Sequence, residues 1–123
     1  MDSNKSDEKV VKVSDIIIRV GLDESNVPLN IEWKADDSPD TPEFKSCKAM
    51  LLSLFDEEYR DTYKIDLWTS KLQIGEMNKF MYQTLVALAD TYYRATNNIE
   101  VANDMQKFVQ YFGEQTEVTA SNE

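Results

Sequence analysis

KIDLWTSKLQIGEMNKFMYQTL, residues 64–85, changes its period partway along. Over Lys64 to Trp68 apolar and polar residues alternate, the period-2 signature of a strand whose two faces differ. From Ile74 onward Met77, Phe80, Met81 and Leu85 recur at three- and four-residue intervals, the stripe of an amphipathic helix. A strand that gives way to a helix within a few residues sets the order of the fold: sheet first, helices last. The strand half also places Asp66 and Trp68 on one side, an acid beside the largest apolar side chain, and so raises the question of what that side meets.

Upstream, VVKVSDIIIRV from Val10 is rich in β-branched residues and predicts a first strand. GLDESN follows as a turn, with Gly21 and Asn26 suited to turn dihedrals. VPLNIEWKA then alternates, Leu29, Ile31 and Trp33 against Asn30, Glu32 and Lys34, which predicts the second strand of an antiparallel hairpin. DDSPDTP breaks the sheet with two prolines and a cluster of acids. The next stretch reads two ways. Phe44, Cys47, Leu51 and Phe55 keep helical spacing after Thr41-Pro42-Glu43, while KAMLLSLFDEEYRDTYKIDLW has two apolar runs around an acidic turn, the form of a second hairpin. The hairpin is favoured, with a helical turn near Pro42 to Lys45 and a strand over Cys47 to Phe55.

Downstream, the apolar stripe extends through Leu88, Ala89 and Tyr92, predicting a helix from Ile74 to Thr96. Asn97 with Glu100 resembles a capping box that opens a second helix carrying Val101, Met105, Phe108, Val109 and Phe112, and Gly113 is placed for a C-cap. The fold class is α+β: an antiparallel four-stranded sheet of two hairpins, followed by two C-terminal helices packed on one face. Residues 10–115 are expected to form one domain, with disordered tails expected at 1–9 and 116–123.

With 123 residues and 41% hydrophobic content the chain suits one compact core. Its net charge of -10 repels phosphate backbones and anionic lipid heads, which speaks against nucleic acid and membrane surfaces as partners. There is no apolar run of membrane-spanning length and no signal-peptide pattern, so the protein is expected in the cytoplasm, without membrane insertion. Cys47 is the only cysteine, read as a buried, inert thiol. The complete absence of histidine removes imidazole catalysis, His-containing triads and His-ligated metals.

The acids form no assignable site. Asp36-Asp37-Ser38-Pro39-Asp40 lacks the ligand spacing and glycine of a calcium loop and reads as a solvated turn. Asp56-Glu57-Glu58 with Asp61 reads as a hairpin tip, and the three glycines are too scattered for a phosphate loop. No catalytic residue, cofactor or metal site is predicted.

The faces of the sheet are more informative. Ile16, Ile18, Val20, Leu29, Ile31, Trp33, Tyr63, Ile65 and Leu67 make the side that the helices should cover. The other side should be polar. It carries Asp15, Arg19, Asn30, Glu32, Lys34, Lys64 and Asp66, but also Ile17 and Trp68. The third strand is apolar on both sides, with Met50, Leu52 and Leu54 against Ala49, Leu51 and Phe55. A strand of this kind is expected to be covered twice, the second time by another molecule. Ile17, Leu52, Leu54 and Trp68 are the candidate partner-binding residues.

The chain resembles the gliding-motility-associated GldC family. IEWKADDS, KAMLLSLFD, KIDLWT, EMNKFMYQTL, ADTYYRATNN and DMQKFVQYFGE carry the resemblance in order, over Val11 to Glu114; the resemblance leads one to expect Trp where this chain has Phe55. It implies a small cytoplasmic accessory of the gliding apparatus, without established catalytic residues. The strand-then-helix order, acidity and two-sided strand also resemble, loosely, the export chaperone SecB. The sequence therefore points to a non-enzymatic interaction protein, a homodimer or higher homo-oligomer, with a partner in the gliding or secretion machinery. The alternative is a SecB-like holdase for exported proteins.

Overall fold

A computed structural model describes residues 8–37 and 43–119. These divide after Lys71 into two compact units. The first contains five strands: β1 (Ile16–Leu22), β2 (Pro28–Ala35), β3 (Lys45–Cys47), β4 (Ala49–Phe55) and β5 (Thr62–Trp68). The second is a pair of helices, α1 (Ile74–Thr96) and α2 (Ile99–Gln115). The α+β class and the order of elements follow the sequence reading, but the single four-stranded sheet does not. Antiparallel β1, β2 and β3 form one sheet and the antiparallel β4–β5 hairpin forms another.

The break falls at Lys48, a bend between β3 and β4. β3 pairs with the middle of β2, Ile31 opposite Cys47 and Trp33 opposite Lys45. Past Lys48 the chain pairs with β5 instead, so one sequence segment serves two sheets in turn. The Thr69 N–H donates to the Lys48 carbonyl at 2.9 Å, which continues the β4–β5 ladder up to the bend. No helical turn occurs at Glu43 to Lys45, where the chain bends and enters β3; Pro42 lies outside the described residues.

Strand one starts at Ile16, not Val10. Its partner explains the difference. β2 ends at Ala35, opposite Ile16, and Asp36 then turns away, its N–H donating to the Asp15 carbonyl at 3.1 Å and its carboxylate accepting from the Asp15 N–H at 3.2 Å. Among the described residues, Val10 to Ser14 have no strand left to pair with. The turn between β1 and β2 is held by Asp23, whose carboxylate accepts from the N–H groups of Ser25 at 2.7 Å and Val27 at 3.0 Å. Asn26 takes the left-handed conformation with φ 64°; Gly21 does not, and marks a register shift before Leu22.

The three-stranded sheet is centred on Ile31, which is 1% exposed between Val20 of β1 and Cys47 of β3. The rest of the expected core row is unevenly buried. Ile18, Val20, Trp33 and Leu67 are half-buried, whereas Ile16, Leu29, Tyr63 and Ile65 are exposed. A three-residue β3 and a two-stranded second sheet leave these side chains few neighbours on their own faces.

In the helical unit α1 and α2 form an antiparallel hairpin joined at Asn97 and Asn98. Asn97 closes α1 in the left-handed conformation with φ 58°, its N–H donating to the Tyr93 carbonyl at 2.8 Å. Asn98, one residue beyond the expected cap, opens α2 by accepting from the Val101 N–H at 3.2 Å. The capping-box arrangement belongs to α1 instead, where Glu76 accepts from the Gln73 N–H at 3.0 Å. Gly113 is no C-cap. It is buried inside α2, which runs on to Gln115, and a Cβ there would stand 2.6 Å from Tyr82 Cε1 of α1. A turn after α2 carries Val118 into a buried position, with the Thr116 N–H donating to the Phe112 carbonyl at 3.0 Å.

Candidate functional site

The register of the β4–β5 hairpin determines which apolar residues act together. Its tip is tied by the Asp56 N–H to the Asp61 carbonyl at 2.8 Å and by the Asp56 carboxylate, which accepts from Glu58 and Tyr59 N–H groups at 3.0 and 2.7 Å. Arg60 absorbs the reversal with φ 58°. The acidic cluster is therefore a hairpin tip, as the sequence suggests. With the tip set, Met50 faces Leu67, Leu52 faces Ile65 and Leu54 faces Tyr63. Directly opposed residues of an antiparallel pair share a face. One face of the hairpin is thus three consecutive apolar pairs, and Leu54, Tyr63 and Ile65 on it are 56%, 57% and 49% exposed.

The other face pairs Ala49 with Trp68, Leu51 with Asp66, Ser53 with Lys64 and Phe55 with Thr62. Trp68 is 55% exposed and Phe55 is also exposed. Asp66 makes an ion pair with Lys64 two residues away, Nζ to Oδ2 3.5 Å. Val27, Pro28, Asp66, Leu67 and Trp68 line an open cleft of about 270 Å³. Asp66 there is exposed and already tied to a lysine, a setting that gives it no isolation from water.

The structure therefore separates the four candidates. Leu52 and Leu54 share the apolar face with Met50, Tyr63, Ile65 and Leu67. Trp68 lies on the reverse face with Leu51 and Phe55. Ile17 is in the other sheet, opposite Lys34, on a face where Arg19 and Lys34 converge on Phe44. Tyr63 and Ile65, assigned by sequence to the covered core, are the members of the exposed face that the reading missed. The missing signal was the hairpin loop, whose length decides which row of β4 joins which row of β5.

Cys47 is half-buried at the bend, and with Leu29, Asn30, Ser46, Lys48, Thr69 and Lys71 it lines a second cleft of about 290 Å³ between the two sheets. Burial pushes its thiol pKa upward, an effect partly opposed by a hydrogen bond at the Ala49 backbone. Asp37 is held below the usual carboxylate range, chiefly by Lys12 at 2.9 Å and then by Ser14. Among the described residues no group of three or more His, Cys, Asp or Glu side chains could hold a metal ion, and no helix is long and apolar enough to cross a membrane.

The sequence model of the family described as Gliding motility-associated protein GldC-like matches residues 28–118, from the first residue of β2 to the turn after α2. The chain belongs to this GldC-like family. No curated protein and no solved structure gives a significant match.

Proposed function

We propose that this GldC-like chain is a non-enzymatic accessory protein, acting in the cytoplasm by protein–protein contact, and that its contact surface is the apolar face of the β4–β5 hairpin. One observation carries the reading: three consecutive apolar cross-strand pairs whose members Leu54, Tyr63 and Ile65 remain about half exposed. Charged residues alternate out of this row instead of interrupting it, which is the pattern of a face meant to meet another apolar surface. Completing the burial of these three side chains would contribute about 1 kcal/mol each at roughly 25 cal/mol per Å², before the cost of association. The partners are further copies of the chain, in a dimer or higher assembly, and a component of the gliding or secretion machinery.

The test is complementation of a gliding bacterium lacking its own GldC-like protein. Wild-type chain is expected to restore spreading, and Leu54→Glu, folded and expressed to the same level, to fail. Full restoration by Leu54→Glu would overturn the contact reading. The same apolar row also supports the holdase alternative. That reading requires suppression of aggregation of a heat-unfolded reporter at substoichiometric chain, lost in Leu54→Glu; absence of suppression at molar excess removes it.

A further inference from the structure

β5 has one hydrogen-bonded neighbour among the described residues, β4, so it forms an edge of the second sheet. Edges of this kind are ordinarily blunted, because a row of unpaired N–H and C=O groups is a template for another strand. Here the edge has a regular sequence. Thr62-Tyr63-Lys64-Ile65-Asp66-Leu67-Trp68 is complementary to itself when reversed about Ile65. Antiparallel pairing of two copies about that centre sets Ile65 against Ile65, Tyr63 against Leu67, and Lys64 against Asp66 twice.

Three features of the hairpin fit this register. The first is the direction of the backbone groups. Asp61 and Thr69 both bond towards β4, the Asp61 carbonyl accepting from Asp56 and the Thr69 N–H donating to Lys48. Bonding direction alternates along an antiparallel strand, so the odd-numbered residues between them, Tyr63, Ile65 and Leu67, point their backbone groups to β4, and Thr62, Lys64, Asp66 and Trp68 point theirs to the edge. Lys64 and Asp66 are then the residues whose N–H and C=O groups would be exchanged with the second copy. Ile65 against Ile65 becomes a non-hydrogen-bonded pair, the closer of the two kinds.

The second feature is charge. Within the hairpin Asp66 stands opposite Leu51 and Lys64 opposite Ser53, so neither has a charged partner across the strand on β4. Among the described residues they form an ion pair with each other along β5. The edge register supplies the cross-strand partners and makes an alternating quartet of two lysines and two aspartates. It also selects itself: a slip of two residues either way places Lys64 against Lys64 or Asp66 against Asp66, which is unfavourable. The third feature is continuity. A two-fold axis normal to the sheet keeps each face on its own side, so the apolar rows of the two hairpins join into one four-stranded face.

We infer that the chain self-associates through the β5 edge, as an isologous antiparallel β5–β5 pair centred on Ile65 with Lys64 of each copy opposite Asp66 of the other. This rests on the contact reading above and names the first partner as a second copy. The experiment is disulfide cross-linking and light scattering of the full chain in a Cys47→Ser background. Ile65→Cys is expected to cross-link to itself on mild oxidation, because Cβ atoms in such a pair lie about 4.5–5.5 Å apart, close to disulfide reach. Tyr63→Cys and Leu67→Cys are each expected to stay uncross-linked alone, since a residue and its own copy are then about 13 Å apart along the strand, and to cross-link when mixed.

Lys64→Asp and Asp66→Lys should each weaken the dimer by about tenfold or more, two like-charge pairs being created at once, and the double swap Lys64→Asp/Asp66→Lys should restore it. The double variant keeps composition and the ion pair along the strand, so restoration separates pairing from a folding defect. A dimer with the same dissociation constant in both single swaps, or self-cross-linking of Tyr63→Cys as fast as that of Ile65→Cys, overturns the edge pairing. So does a wild-type chain that stays monomeric at all concentrations. None of these results touches the complementation test with Leu54→Glu on β4, which decides the contact reading separately.

Discussion

The guanidinium carbon of Arg19 lies 4.0 Å from the centroid of the Phe44 ring. Lys34 Nζ approaches the same ring at 5.1 Å, so one aromatic ring serves two cations from neighbouring strands. Phe44 precedes β3 directly, and its ring ties the entry of that short strand to β1 and β2. This arrangement also accounts for the isolation of Ile17, whose face is occupied by a cation and aromatic cluster and not by further apolar residues. Replacing Phe44 with Ala should destabilise the chain, and a double-mutant cycle with Arg19→Gln should show coupling of about 0.5–1 kcal/mol. Urea denaturation followed by Trp fluorescence measures it. Additive effects of the two substitutions would show that the stacking contributes nothing.

The junction between α1 and α2 makes opposite demands on adjacent asparagines. Asn97 needs the left-handed conformation, with φ 58°, and Asn98 needs a side-chain oxygen for the Val101 N–H. Asn98→Ala should therefore cost about 1 kcal/mol, the usual value of an N-cap. Asn97→Gly should be neutral or stabilising, because glycine reaches φ above zero without a Cβ penalty. Thermal unfolding followed by circular dichroism distinguishes them. Equal losses at both positions would mean that the capping roles are not divided in this way.

Local pattern was enough to read α1, whose bounds at Ile74 and Thr96 follow from the apolar stripe, and to recognise the acidic hairpin tip. It was not enough where a choice depended on a partner. Val10 to Ser14 look like strand but outlast β2. Lys48 gives no sign of a bend, because a continuous apolar run is compatible with one long strand or with two shorter ones in different sheets. The candidate face suffered from parity. Tyr63 and Ile65 had to share a side, but whether Leu52 and Leu54 or Leu51 and Phe55 stood opposite them depended on the four residues from Glu57 to Arg60 at the tip. One residue more or less there would have put Trp68 on the face with Leu52 and Leu54.

Cys47 offers a test of the bend between the sheets. Burial raises its thiol pKa, so at pH 8 less thiolate is present than on an open chain, and reaction with Ellman's reagent should be slower than that of the same chain in urea. The linkage has a defined sign. The unfolded thiol ionises at lower pH than the folded one, so the stability held by the neutral thiol is present below the ordinary thiol pKa and is lost as pH rises above it. Cys47→Ala should remove this alkaline component from the pH dependence of unfolding. Equal reaction rates in buffer and urea would show that the cleft at the bend gives the thiol no shielding.

Gly113 tests how closely the two helices approach. A helix interior ordinarily gains from alanine in place of glycine, by about 1 kcal/mol. At this position the added Cβ would stand 2.6 Å from Tyr82 Cε1 and 3.0 Å from Thr119 Cγ2, one contact on the facing helix and one on the turn that carries Val118 inward. Neither is the loose end of a long side chain: the first belongs to the half-buried ring of Tyr82, and the second to a β-branched residue. Overpacking of this kind typically costs about 1–3 kcal/mol, so the clash should exceed the helix gain and Gly113→Ala should lower the urea midpoint. Tyr82→Leu removes the ring atom at 2.6 Å and should make Gly113→Ala less costly in the double variant than alone, with a coupling of about 1 kcal/mol. A single Gly113→Ala variant more stable than wild type would instead mean that α1 and α2 have room to separate, and that the glycine is not there for close packing.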